Sequence, residues 1–217
     1  MFVNKKMTKN PVTIPSTTTV ADAFDLMRTK KFRRVPVVDN GKLVGIVTDR
    51  DLRQVTASPA TSLSIFELNY LLAKMQVKEV MTKNVVTINV EATVEEAALL
   101  MSTHKIGGLV VVDTQQTVVG IITETDIFKC LIDVMGLAEG KTRISLAVLD
   151  RVGVVAEISG IFRDLGINIG SMVMYPVEGG QSELVIRADV ADTQVLREKL
   201  AAAGFEIQHI VQIQPPQ

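Results

Sequence analysis

The sequence predicts an α+β protein: one strand–helix–strand–strand–helix unit written twice, then a third unit of different order. Three observations carry this. MTKNPVTI (7–14) returns as MTKNVVTI (81–88), and GIVTDRD (45–51) returns as GIITETD (120–126). The apolar periodicity inside both copies alternates between strand and helix spacing in the same order. From residue 141 onward that order changes to strand, helix, two strands, helix, strand.

Each element of the repeat has a local reason. PVTI and VVTI are short apolar strands. Thr19-Val20-Ala21-Asp22 and Thr93-Val94-Glu95-Glu96 open helices. A Thr oxygen accepts from exposed N–H groups, and an acid three residues later suits the positive helix end. Val20, Ala23, Phe24 and Met27 then fall on one helical face, as do Val94, Ala97, Ala98 and Met101. KFRRVPVVD and KLVGIVTD read as strands joined at Asn40-Gly41, a pair that accepts the positive φ of a tight hairpin. VPVVD (35–39) returns as LVVVD (109–113), and the second copy gains one residue in its turn. A last helix begins at Thr48 or Thr123. Between the copies, SLSIFELNYLLAKM (62–75) has the spacing of a linker helix, with Pro59 blocking continuation from the helix before it. The copies span 1–60 and 77–136, with the linker at 61–76.

In the third unit, 141–214, KTRISLAVLD is a strand. RVGVVAEISGIFRDLG is a helix with Val155, Ile158, Ile161, Phe162 and Leu165 on one face and Gly166 as its stop. INIGSMVMYPV and SELVIRADV are strands joined through EGGQ, TQVLREKLAAAG is a helix ending at Gly204, and FEIQHIVQI alternates as a final strand. The order βαββαβ predicts a ferredoxin-like sandwich.

Composition sets limits. Of 217 residues, 47% are hydrophobic and 4% aromatic, so aliphatic side chains build the core. A net charge of −1 gives no whole-chain field toward nucleic acid. A single cysteine, Cys130, permits no intrachain disulfide and suits a reducing cytosol. It falls beside Ile127, Leu131 and Ile132 on a helix and is expected to be buried and inert. Two His and one Cys leave no zinc set of the usual ligands. His104 reads as a helix-end residue and His209 as a strand-face residue. No apolar run reaches a membrane span, and MFVNKKMTKNPVTI has no signal-peptide core, so a cytoplasmic location is expected. There is no Ser-His-Asp spacing, HExxH, Walker loop or Cys-His pair, so the expectation is a protein that is not an enzyme and needs no cofactor.

Two readings of TDRD and TETD are compatible. Thr48 with Asp51, and Thr123 with Asp126, are spaced as caps. The same helix starts attract phosphate, a Thr hydroxyl donates to a phosphate oxygen, and an Asp accepts two sugar hydroxyls. The recurring MTKN, VTI, VVD and GIhTxxD phrases resemble a tandem of CBS domains, the Bateman module, over roughly residues 1 to 136. That resemblance implies two clefts binding adenosine nucleotides such as AMP, ADP or ATP. By position, one cleft takes Thr48, Arg50 and Asp51, with Arg33 and Arg34 near the phosphates and the base near Val86 and Ile106. The other takes Thr123, Thr125 and Asp126, with the base near Val12 and Phe32. Repeat two has Gly107-Gly108 where repeat one has Arg33-Arg34, so the second cleft is expected to hold polyphosphates more weakly. The run RTKKFRR (28–34) is read first as phosphate docking, then as a solvated face, and last as a nucleic-acid contact.

DRVGVVAEISGIFRDLGINI resembles an ACT domain, with Val152 where that family usually has Pro. The resemblance implies a small-molecule or amino-acid site at Gly153, Val154 and Asn168. CBS tandem plus ACT resembles the bacterial acetoin-utilisation regulatory protein family. The expectation is a regulatory sensor, a homodimer with a possible regulated protein partner. The alternatives are a nucleic-acid-associated regulator acting through 28–34 and an enzyme with an unrecognised active site.

Overall fold

The computed structural model describes residues 1–56, 70, 73–137, 141–177 and 179–212. The linker helix expected at 62–75 falls, apart from Tyr70 and residues 73–75, outside the described residues. The chain divides into two units, Met1–Ile127 and Phe128–Gln217.

In the first unit, the opening segment carries α1 (Val3–Lys6) and β1 (Thr8–Lys9). Copy one follows with α2 (Val20–Lys30), β2 (Arg34–Asp39), β3 (Lys42–Thr48) and α3 (Asp49–Thr56). Copy two has β4 (Thr87–Asn89), α4 (Val94–His104), β5 (Gly108–Val112), β6 (Val118–Thr123) and α5 (Glu124–Val134). The helix starts follow the sequence logic. The Thr19 hydroxyl accepts from the Asp22 N–H at 3.1 Å and donates to the Asp22 carboxylate at 2.7 Å. Thr93 and Glu96 complete a full capping box. Asn40 and Gly41 take φ of 51° and 78° in the β2–β3 turn.

The copies are crossed. The leading segment of copy one pairs with copy two: Val3 N–H donates to Ala92 O at 2.8 Å, and Val94 N–H donates to Met1 O at 2.9 Å. The end of the linker and the start of copy two pair with copy one: Val77 N–H donates to Thr18 O and Val20 N–H donates to Met75 O, both at 2.8 Å. The exchange continues into the sheets. β1 lies antiparallel to β6, with Thr8 opposite Ile121, while Thr82 bridges Ile46 of β3. Val77, fully buried, therefore belongs to the core of copy one with Val20, Ala23, Val35, Val37 and Leu52.

Glycine makes the crossing close. Gly45 and Gly120, the first letters of the two repeated phrases, are buried. A Cβ on Gly45 would collide with the Met81 side chain, and one on Gly120 would collide with Met7. The Met of each MTKN thus packs on the Gly of the other copy's GIhTxxD.

The second unit is the βαββαβ sandwich: β7 (Thr142–Leu149), α6 (Val154–Asp164), β8 (Ile169–Pro176), β9 (Gln181–Ala188), α7 (Thr193–Ala202) and β10 (Ile207–Gln212). Its antiparallel sheet runs β10-β7-β9-β8. Ile144, Leu146, Leu184 and Ile186 meet Ile158, Phe162, Leu196 and Leu200 in the core. Two details depart from the sequence expectation. The apolar face of α6 begins at Val154, which is buried, because Gly153 caps the helix at φ 92°; Val155 is exposed. The alternation of β10 breaks at a register shift between Ile207 and His209, which lets Ile207 and Ile210 both pack on the core. Cys130 is buried as expected.

The crossing generates a prediction. Gly45→Val and Gly120→Val should each destabilise the chain by about 1–3 kcal/mol through overpacking. Adding Met81→Ala to Gly45→Val should recover part of that loss, as urea midpoints would read. Additive losses in the double variant would show that the two side chains do not compete for one space.

Candidate functional site

The two recurring phrases end at equivalent helix starts. At α3, Thr48 donates to Asp51 Oδ2 from its N–H and from its hydroxyl, each at 2.8 Å, and Asp51 N–H donates to Thr48 Oγ1 at 3.2 Å. At α5, Thr123 donates to Asp126 Oδ2 from its N–H at 2.9 Å and from its hydroxyl at 2.7 Å. The capping role is therefore present at both helix starts. Asp51 and Asp126 each meet their Thr through Oδ2, and both pairs are half-buried.

Beside Thr123 the first unit contains a cavity of about 450 Å³. Copy two supplies Gly107, Ile121, Thr123, Glu124 and Thr125, and β1 supplies Thr8. Copy one and the loop ahead of it supply Val12, Lys31, Phe32, Arg33 and Arg34. Of the residues expected for this cleft, Val12, Phe32, Thr123 and Thr125 line it, and Asp126 adjoins it through Thr123. Thr48, Arg50, Asp51, Val86 and Ile106 are not on its wall.

The arginines are placed otherwise than expected. Arg33 and Arg34 stand in the Thr123 cavity, where sequence position had grouped them with Thr48. The reason is visible in the register. Arg34 lies opposite Thr48 in the β2–β3 pair, and Gly108 lies opposite Thr123 in the β5–β6 pair. The two positions are equivalent, but Gly108 has no side chain. The Arg34 guanidinium fills that space: a Cβ on Gly108 would overlap Arg34 Nη1, and one on Gly107 would lie 2.8 Å from Nη2 and 2.9 Å from Glu124 Oε2. Burial pushes the Arg34 pKa down, opposed first by Glu124 and aggravated by Arg33. Its Nη1 is buried without a hydrogen-bond partner. Glu124 and Thr8 line the cavity without having been singled out from the sequence, Lys31 belongs to the run 28–34 read as phosphate docking, and Gly107 was noted only as the match of Arg33. The repeated MTKN phrase was the available signal for Thr8, since it marks the strand that crosses over.

In the second unit, Gly153 caps α6 with positive φ, Val154 is buried in the core, and Asn168 is exposed. The Val154 N–H already donates to Arg151 O at 3.3 Å. Arg151 holds Glu157 in a two-pronged pair at 2.7 and 2.6 Å, which draws the Glu157 carboxyl below its usual range. A carboxylate of the chain itself therefore stands in the first turn of this helix. Among the described residues no His/Cys/Asp/Glu group fits a metal ion, and no helix is long and apolar enough to cross a membrane.

Comparison with known proteins gives a consistent result. The CBS domain model matches residues 3–58 and 77–133, just over half the chain, and the ACT domain model matches 142–205. A CBS domain-containing protein of Dictyostelium discoideum is 38% identical over 136 residues, covering 62% of this chain and 94% of that protein. Inosine-5′-monophosphate dehydrogenase of Aquifex aeolicus is 31% identical over 211 residues, but the match spans 38% of that enzyme and 89% of this chain. Other relatives are also much longer, and the match spans 22% to 47% of their length. Among solved structures, a CBS domain pair in complex with 5′-methylthioadenosine and S-adenosyl-L-methionine has a TM-score of 0.52 at 31% identity, covering 60% of this chain and 95% of that one. A CBS-pair protein in complex with AMP scores 0.50 at 29%, covering 60% and 96%. A Vibrio cholerae protein described as an acetoin utilization protein scores 0.53 at 36%, covering 64% and 96%.

As caps, the two aspartates are independent. Asp51→Ala and Asp126→Ala should each cost about 1 kcal/mol of stability, and together the sum of both. Urea unfolding of the single and double variants checks this, and strong non-additivity would mean that the two helix starts share a partner.

Proposed function

Since the chain belongs to the CBS-domain family and carries an ACT domain behind the pair, we propose that it is a non-catalytic regulatory protein that senses an adenine nucleotide, AMP, ADP or ATP. The observation that supports this most is the cavity beside Thr123, which both copies build. In this reading Asp126 accepts the ribose hydroxyls, Thr125 and the α5 start receive the phosphate, and Val12 and Phe32 cover the base. A second position at Thr48, Arg50 and Asp51, with Val86 and Ile106 against the base, completes the pair.

The domain limits we propose are 1–60 and 77–136 for the CBS motifs, 61–76 for a linker and 141–214 for the ACT domain. The ACT domain is proposed to sense a small molecule or amino acid through Gly153 and Asn168, and Arg151 must release Glu157 for a ligand carboxylate to reach the helix start. A cytoplasmic homodimer is the proposed form. Phe128, Leu131 and Val134 on α5 are 52–63% exposed, which supports a partner surface. Nucleotide binding regulates only through different affinity for two states, so a regulated protein partner belongs to the proposal. Resemblance to the acetoin utilization protein supports a metabolic setting.

Titration calorimetry of the full chain tests the reading. AMP, ADP or ATP should bind, and Asp126→Ala should lower that affinity tenfold or more while the protein stays folded, because charged hydrogen bonds contribute about 1.5–3 kcal/mol. Unchanged affinity in a folded variant removes the ribose role.

A further inference from the structure

We infer that the cavity beside Thr123 selects its adenosine ligand by charge, taking phosphorylated adenosines and rejecting the sulfonium ligand S-adenosylmethionine. The inference rests on the adenosine site proposed above and names what that site discriminates.

Three cations, Lys31, Arg33 and Arg34, line the cavity wall with one carboxylate, Glu124, while Asp49 and Asp126 also act on Arg34 from the two helix starts. Lys31 and Arg33 are exposed and enter no ion pair among the described residues, so their charge is available to a ligand. Both are set in place by backbone. Lys31 ends α2 in the left-handed region at φ 56°, and Arg33 O accepts from Asp49 N–H at 3.0 Å at the start of α3. Arg34 is fixed against Gly107 and Gly108, and Arg33 acts on it as a like charge. An arriving phosphate relieves that repulsion, and a cation adds to it.

The selectivity belongs to one cleft. At the positions equivalent to Arg33-Arg34, copy two carries Gly107-Gly108 and keeps only Lys105, the match of Lys31. Copy one therefore spends both arginines on the cleft of copy two. The group that differs among adenosine ligands is the 5′ substituent: a phosphate in AMP and ATP, a neutral thioether in 5′-methylthioadenosine, a sulfonium in S-adenosylmethionine. A ribose held at Asp126 and Thr123 directs that substituent toward the helix start and the arginines.

Equilibrium dialysis of the full chain with radiolabelled AMP, ATP, adenosine, 5′-methylthioadenosine and S-adenosylmethionine tests this. AMP and ATP should bind at least tenfold more tightly than adenosine, and S-adenosylmethionine most weakly. The exposed-site double variant Lys31→Ala/Arg33→Ala should bring the AMP-to-adenosine affinity ratio down to within about threefold of one. Asp126→Ala should weaken all five together and leave the ratio in place. Adenosine or S-adenosylmethionine binding as tightly as AMP, or a ratio unmoved in Lys31→Ala/Arg33→Ala, overturns charge selection while leaving an adenosine site intact. Binding of none of the five removes the site and the selectivity together.

Discussion

The first unit depends on a crossed contact: Met7 on Gly120 and Met81 on Gly45. Each repeat lends its leading segment to the other repeat's sheet, and each receives one back. Copy one has no complete core without the loan, since Val77 from the leading segment of copy two is fully buried among its residues. In this exchange the Met side chains lie where a Cβ on either glycine would stand. The recurrence of Gly in GIVTDRD and GIITETD follows from this packing constraint before any ligand is considered. The rest of each phrase follows from the strand–helix junction that the glycine leads into.

That junction is a cap, and the proposed ligand role uses the same atoms. A helix start has unpaired N–H groups and a positive end. Thr and Asp close the first turn by bonding each other, and the geometry that makes them a cap also leaves a half-buried carboxylate and hydroxyl at the mouth of a hollow. Capping fixes their rotamers, so in the proposed reading a ribose would meet groups already oriented, which reduces the ordering cost of binding. The ACT domain shows the contrast. Its helix start has Gly153 in place of a capping side chain, and its own Glu157, clamped by Arg151, occupies the first turn.

Much of this was legible in the sequence, because the signals were local. Thr-x-x-acid caps, the Asn-Gly turn and the βαββαβ order each depend on a few adjacent residues, and the structure carries them. Val12, Phe32 and Thr125, grouped with Thr123 from the sequence, line one cavity with it. The position of Arg33 and Arg34 was not. Their partner is a space left by Gly108, about 74 residues away in sequence, and one-dimensional alignment pairs equivalent residues without saying which copy a side chain reaches. The crossing itself hid in plain text: MTKN recurs, but recurrence does not reveal that each copy's MTKN serves the other. In α6 and β10 the misses were of register, one set by a glycine cap and one by a bulge.

The asymmetry of the pair then has a physical logic. Two identical repeats would place an arginine at both positions 34 and 108, and the two guanidiniums would meet where the copies cross, each denying the other room. Gly108 resolves the clash by yielding the space, and Arg34 takes it, flanked by the first-turn acids Asp49, Glu124 and Asp126, whose charges favour its cationic form against its burial. The like charge of Arg33 remains uncompensated beside it. A repeat fold that is symmetric in its backbone thus becomes unequal in its field, with Arg33 and Arg34 beside Thr123 and two glycines at the matching positions of the other copy.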